Sequence, residues 1–178
     1  MKHLMKLSIF FSSLLAPLLS VASNSAVFDF NINIMAQMCK ISIVGTSLNE
    51  IDFGNITVAD IRAHKVQPIQ TKIVLSDCAT NNFIGAYVKI SPKNYLDSIT
   101  FIDDPAKGFG ISFSEQNNIM NSSSMADFFE KESQVWTNIN ENQLDKTLYT
   151  YVRCQTGSEC SPQVGDFQST VTFSFVID

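Results

Sequence analysis

Charge is scarce in this chain, and so are the residue types on which catalysis depends. Only 16% of its 178 residues are charged, 12 Lys and Arg against 17 Asp and Glu for a net charge of −5. No basic field gathers nucleic-acid phosphate or an anionic membrane, so no nucleic-acid partner is expected. The two histidines are His3 and His64, and neither has an identifiable nucleophile or base beside it in the sequence. Cys154 and Cys160 stand wider apart than usual zinc pairs, and no calcium loop of regular spacing surrounds Asp60, Asp103 or Asp104. The expectation is a protein with no metal, no cofactor and no enzymatic activity. With 7 Gly and 5 Pro, collagen-like and low-complexity classes are also excluded.

A long apolar run is missing too. Met1 to Ala22 has a basic start at Lys2, His3 and Lys6, an apolar stretch from Leu7 to Leu19 broken by Ser12, Ser13 and Pro17, and small residues before Ala22. A spanning helix needs about 20 apolar residues, so the stretch reads as a secretory signal cleaved after Ala22. Cleavage removes two of the 12 basic residues and none of the 17 acidic ones, taking the charge to −7. What remains has the length of one globular domain with a substantial core.

All four cysteines, Cys39, Cys78, Cys154 and Cys160, lie beyond the signal, and an exported chain meets an oxidising compartment. Two disulfides are expected. Four cysteines allow three connectivities; the short separation of Cys154 and Cys160 around Gly157 suits a hairpin staple, which leaves Cys39 for Cys78.

What the chain has in abundance is alternation. Phe28, Phe30, Ile32, Ile34, Ala36 and Met38 alternate with Asp29, Asn31, Asn33, Met35 and Gln37, and the pattern runs on through Ile41 and Ile43. Period two makes a strand with one dry and one wet face. Strands average about 5–6 residues, so this run is long enough for two strands end to end. Further strands are expected at Thr71–Ser76, Ile84–Ile90, Ser98–Ile102, Gly110–Ser114, Thr147–Arg153 and Phe167–Ile177, punctuated by Gly, Asn, Pro and Asp. A helical turn is expected at Thr57–Ala63 and a short helix at Ser124–Lys131, with Ser124 and Asp127 as a capping pair. Glu115–Ser124 reads as a polar surface loop, and Trp136, Phe128 and Phe129 as core aromatics. The class is all-β, a sandwich or barrel. The first and last segments are both amphipathic strands, and such edges invite pairing, within one molecule or between molecules.

The ordered set of pieces resembles the pilin subunits of the chaperone–usher pathway, the type 1 fimbrial group of Gram-negative bacteria. The pieces are the arm ending at Cys39, Ile51-Asp52-Phe53-Gly54, Lys72-Ile73-Val74-Leu75-Ser76-Asp77-Cys78, Gly108-Phe109-Gly110-Ile111-Ser112-Phe113, Tyr149-Thr150-Tyr151-Val152 and Gly165-Asp166-Phe167. Together they span essentially the whole exported chain. The resemblance implies an incomplete immunoglobulin-like β-sandwich completed by a donor strand from another molecule. It implies a signal peptide at 1–22, a donor arm at 23–38 carrying Phe28, Phe30, Ile32, Ile34 and Ala36, and a pilin domain at 39–178. Gly165, Phe167, Val171, Phe173, Phe175 and Ile177 would then form the acceptor groove and chaperone-binding strand. The implied partners are a periplasmic pilus chaperone, an outer-membrane usher and neighbouring pilin subunits, in a fimbrium reached through the periplasm and contributing to adhesion. The alternative is a minor tip or adaptor subunit that itself binds a host receptor as an adhesin or lectin. The arm departs from the family pattern in having no glycine between Ala26 and Cys39, and Ile177 stands where a tyrosine is common.

Overall fold

The computed structural model describes residues 26–29, 39–79, 82–157 and 159–177. The signal segment and most of the arm, including Phe30, Ile32, Ile34 and Ala36, lie outside them. In chain order the described elements are β1 (Ala26–Asp29), β2 (Lys40–Val44), β3 (Glu50–Asp52), α1 (Val58–Arg62), β4 (Ile69–Ser76) and β5 (Ala86–Pro92). There follow β6 (Phe109–Ser114), β7 (Gln134–Trp136), β8 (Asp145–Cys154), β9 (Phe167–Gln168) and β10 (Val171–Ile177).

These strands build two antiparallel layers, one ordered β2-β4-β8-β6 and the other β10-β5-β7, while β3, β1 and β9 form a small sheet at one end. Period two in sequence becomes the core directly. Ile41 and Ile43 on β2, Ile73 and Leu75 on β4, and Val88 and Ile90 on β5 are buried, while their strand neighbours are exposed or half-buried. Across the layers Phe113 of β6 meets Phe173 of β10 edge to face, with ring centroids 5.5 Å apart, a geometry that suits the ring quadrupoles. Trp136 and Phe128 are buried as expected. Thr71 and Thr150, diagonal neighbours on β4 and β8, are buried and share a 2.7 Å hydroxyl bond.

Local chemistry explains two departures from the sequence reading. Ser98–Ile102 is not a strand, although Ile99, Phe101 and Ile102 are buried. The Asp97 carboxylate accepts from the backbone N–H of Ile99 (3.0 Å) and Thr100 (2.7 Å) and holds a turn, an alternative to the ladder that short acidic side chains offer. Only Phe101 keeps strand-like pairing, as isolated bridges to Tyr95 and Ile111. Ser124–Lys131 is likewise not a helix but a single 3-10 turn over Met125–Asp127, and Ser124 makes no side-chain cap bond. The Asp127 carboxylate instead accepts from the Ser122 hydroxyl, and Phe128 is extended so that its ring enters a small satellite core with Ile99 and Tyr151. The turn at Thr57 does form, as α1, with Thr57 Oγ1 accepting from Asp60 N at 3.0 Å.

Gly110 shows why the Gly-x-Gly-Ile stretch has its composition. Phe101 and Ile111 exchange backbone bonds of 2.8 and 2.9 Å, and a Cβ on Gly110 would stand 2.4 Å from the Phe101 carbonyl oxygen. Only a residue without a side chain permits that approach. Gly110→Ala is therefore expected to destabilise the oxidised mature chain by about 1–3 kcal/mol, the usual cost of forcing a packed backbone apart. A lowered urea midpoint at constant slope checks this, and an unchanged midpoint would refute the rigidity of the Phe101–Ile111 bridge.

Candidate functional site

The two main layers end on the same side of the molecule in edge strands that face each other. Among the described residues β10 pairs only through β5, from Val171 opposite Pro92 to Ile177 opposite Ala86. β2 pairs only through β4, from Lys40 opposite Ser76 to Val44 opposite Lys72. β10 and β2 also touch across the interior. From β10, Val171 and Phe173 are buried, and Phe175 and Ile177 are half-buried members of the same core cluster. Phe175 lies edge to face on Phe83, centroids 6.4 Å apart. Of the residues expected from sequence to form a groove, Val171, Phe173, Phe175 and Ile177 lie on β10, whereas Phe167 lies on β9 and Gly165 in the turn ahead of it.

The entrance to β10 is held by several independent ties. Cys154 at the end of β8 is bridged to Cys160, and Arg62 Nε of α1 donates to the Cys160 carbonyl at 3.2 Å. Lys107 then binds the segment twice, its carbonyl accepting from Gln163 N at 2.9 Å and its ammonium donating to the Val164 carbonyl at 3.4 Å. Gly165 follows at φ 107°, a backbone conformation that side chains disfavour, and turns the chain into β9. Phe167 is buried and stacks edge-on against Phe109 at 4.5 Å. The second bridge, Cys39–Cys78, ties the start of β2 to the chain just beyond β4.

Asp103 is the residue that sequence reasoning undervalued. Read as a solvated turn carboxylate, it accepts instead from Thr170 N (2.7 Å) and Thr170 Oγ1 (2.8 Å), with Lys93 Nζ 3.2 Å away. Its own N–H donates to the Gln168 carbonyl at 2.9 Å. These bonds clamp the break between β9 and β10, where the expected single strand Phe167–Ile177 is interrupted at Ser169 and Thr170. No sequence signal links Asp103 to a residue 67 positions away; the tie exists only in the fold.

The N-terminal segment enters from the same end. β1 lies between β3 and β9, antiparallel to β3 with Phe28 opposite Ile51, and parallel to β9 with Ala26 opposite Phe167. Of the expected donor residues only Phe28 falls within it.

Elsewhere the polar groups serve the fold. Residues 115–118 are exposed, yet the loop is bound down. Tyr151 OH donates to the Gln116 carbonyl at 2.6 Å, and Arg153 Nη2 to the Ser122 carbonyl at 2.6 Å. The Arg153 guanidinium lies 3.8 Å from the Phe128 ring. Burial lowers its pKa, opposed by the charges of Asp97 and Asp127. A cleft lined by Asn82, Tyr87, Thr137, Asn138 and Asn140 opens near the end of β10. Two of its side-chain amides hold turns: Asn82 Oδ1 accepts from Ile84 N, and Asn140 Oδ1 from Asn142 N. No group of three or more His, Cys, Asp or Glu side chains able to hold a metal occurs among the described residues.

The comparisons with known proteins bear on this arrangement. A family model described as fimbrial protein matches residues 28–178. The chain belongs to the fimbrial protein family. No curated protein sequence matches it. Among solved structures it is similar to the P pilus rod subunit PapA, with a TM-score of 0.59 at 16% identity over 84% of this chain and 97% of that one. It is also similar to a chain from a chaperone–usher pilus studied for rod uncoiling, with a TM-score of 0.51 at 14% identity over 84% and 93%. The fold is the immunoglobulin-like sandwich of those pilus subunits, and the protein is a fimbrial subunit rather than an enzyme.

Asp103→Ala tests the clamp at the entrance to β10. It leaves Thr170 N–H without its carboxylate acceptor and is expected to cost about 1–3 kcal/mol, read in the urea midpoint of the oxidised chain. Asp104→Ala, which removes only a 3-10 cap bond from Ala106 N, should cost less than Asp103→Ala, and equal costs would refute the clamp.

Proposed function

We propose that this fimbrial subunit polymerises by donor-strand exchange, its arm at 23–38 entering the groove of a neighbouring subunit and its own groove, along β10, receiving an arm in turn. One observation carries the reading: β10 and β2 are facing edge strands whose apolar side chains point into one core, in a chain that also carries a separate alternating segment ahead of Cys39. A strand added to such an edge gains a backbone ladder and buries alternate side chains, which is the strand-addition mode of recognition. Phe30, Ile32, Ile34 and Ala36 supply the dry face, and Asn31, Asn33 and Gln37 the wet one. Before assembly a periplasmic chaperone supplies the strand, the outer-membrane usher is the site of exchange, and the segment 1–22 directs export. Adhesion then follows from the fibre as a whole.

The experiment is a pair of contrasts between the two faces. In cells carrying the cognate chaperone and usher, Phe173→Asp is expected to abolish periplasmic accumulation of the subunit, because a carboxylate in the core has no partner. Ser174→Asp, on the opposite face, should be tolerated. On the arm, Ile32→Asp or Ile34→Asp should block incorporation into fibres while leaving the chaperone complex intact, and Asn31→Asp or Asn33→Asp should assemble. Equal sensitivity of both arm faces, or loss of the chaperone complex on arm substitution, would contradict donor-strand exchange.

A further inference from the structure

The cleft near the end of β10 has a volume of about 680 Å³, within the roughly 300–1,000 Å³ usual for small-ligand sites. One wall is the turn 82–87 that leads into β5, and the other is β7 with the turn 137–142 that follows it. Pairing of β5 with β7, Val88 opposite Trp136 and Lys89 opposite Gln134, holds the walls together. Phe83, Ala86 and Ile139 line the cleft and are buried. Phe83 also packs on Phe175 of β10, so the floor belongs to the core. The rims are fixed as well. Ala86 N–H donates to the Phe83 carbonyl at 2.9 Å and Gln143 N–H to the Asn140 carbonyl at 3.0 Å, beside the two amide-held turns already described. A hollow formed in advance spares its ligand the cost of ordering it.

The lining departs from that of most small-molecule sites, which are largely apolar with a few polar groups. Gln134, Thr137, Asn138, Glu141 and Asn142 stand exposed around the opening. The side chains of Gln134, Thr137, Asn138 and Asn142 have no hydrogen-bond partner among the described residues, so their polar groups are displayed to solvent rather than spent on the fold. No Lys, Arg or His lines the cleft. A phosphate, sulfate or carboxylate would meet the Glu141 charge with no cation to offset it. An apolar ligand would strip water from the amides without replacing its hydrogen bonds. A neutral ligand dense in hydroxyls meets neither penalty. Each amide holds a donor and an acceptor side by side, and each hydroxyl is both, so one Asn or Gln can engage two adjacent hydroxyls of a sugar ring. Tyr87, half-buried on one wall, and Ile84, 83% exposed at the rim, add apolar surface for the C–H face of that ring.

We propose that this cleft binds a short neutral oligosaccharide, with Gln134, Thr137, Asn138 and Asn142 taking its hydroxyls. The site is separate from the groove along β10 and does not depend on how that groove is filled. Repeated along a fibre, as the reading above has it, even a weak single site gains avidity.

The full mature chain, purified oxidised from the periplasm, is applied to an array of neutral oligosaccharides ending in mannose, galactose, fucose or N-acetylhexosamine, beside sialylated and sulfated forms of the same chains. At least one neutral series should be retained, with no gain from added sialic acid or sulfate. Gln134→Ala/Asn142→Ala should weaken that binding at least tenfold, since two hydrogen-bonding side chains are lost. Thr137→Val, which keeps the shape and removes the hydroxyl, should weaken it with an unchanged urea midpoint, a contrast that separates lost contacts from lost folding. Asn121→Ala, on the polar loop outside the cleft, should bind as wild type. In the retained case, the free oligosaccharide should shift backbone amide resonances of residues 82–87 and 134–142 and leave those of 115–124 in place. Retention of no neutral oligosaccharide, binding that requires a negative charge on the glycan, binding indifferent to the cleft substitutions, or shifts confined to 115–124 would each overturn the proposal, and none of them bears on strand exchange at β10.

Discussion

Among the described residues β10 gives one face to the core and is paired along one edge only, by β5. Val171 and Phe173 are fully buried and Phe113 packs on Phe173 across the layers, so β10 cannot be withdrawn from the core. Its edge cannot be left open either, since unpaired N–H and C=O groups beside apolar side chains form a template for aggregation. In the donor-strand reading proposed above, an additional strand meets that requirement, and polymerisation becomes a consequence of the fold rather than a property added to its surface.

The supports of β10 are arranged accordingly. The Cys154–Cys160 bridge, Arg62, Lys107 and Asp103 all act on residues 160–170, just ahead of the strand. They fix where β10 begins. Cys39–Cys78 does the same for the facing edge, β2. By contrast, the loop at 115–128 is bound to the outer face of β8 through Tyr151 and Arg153, away from both edges.

Strands long enough to display their period were legible in the sequence. β4, β5, β6 and β8 lie within two residues of the expected limits, because apolar residues alternate along them. β3 and β7 are three residues each, too short for a period to show, and neither Glu50-Ile51-Asp52 nor Gln134-Val135-Trp136 announces itself. Ser98–Ile102 misled for the opposite reason: its residues are buried, but Asp97 takes the backbone N–H groups that a ladder would need. Of the site, the apolar face of β10 was readable from alternation and its family from the order of motifs. The Asp103–Thr170 clamp and the parallel register of β1 were not, since both depend on which distant segments the fold brings together.

The account stands or falls on whether an arm strand completes the backbone of β10. Residue-resolved amide hydrogen exchange measures this directly, by comparing the mature subunit with and without an added synthetic peptide spanning 26–38. Alternate amides of β10 point to β5 and the others to the outer edge. The account predicts that the outward set gains protection when the peptide is present, while the set bonded to β5 changes far less. Exchange of the outward amides that is indifferent to the peptide would contradict it.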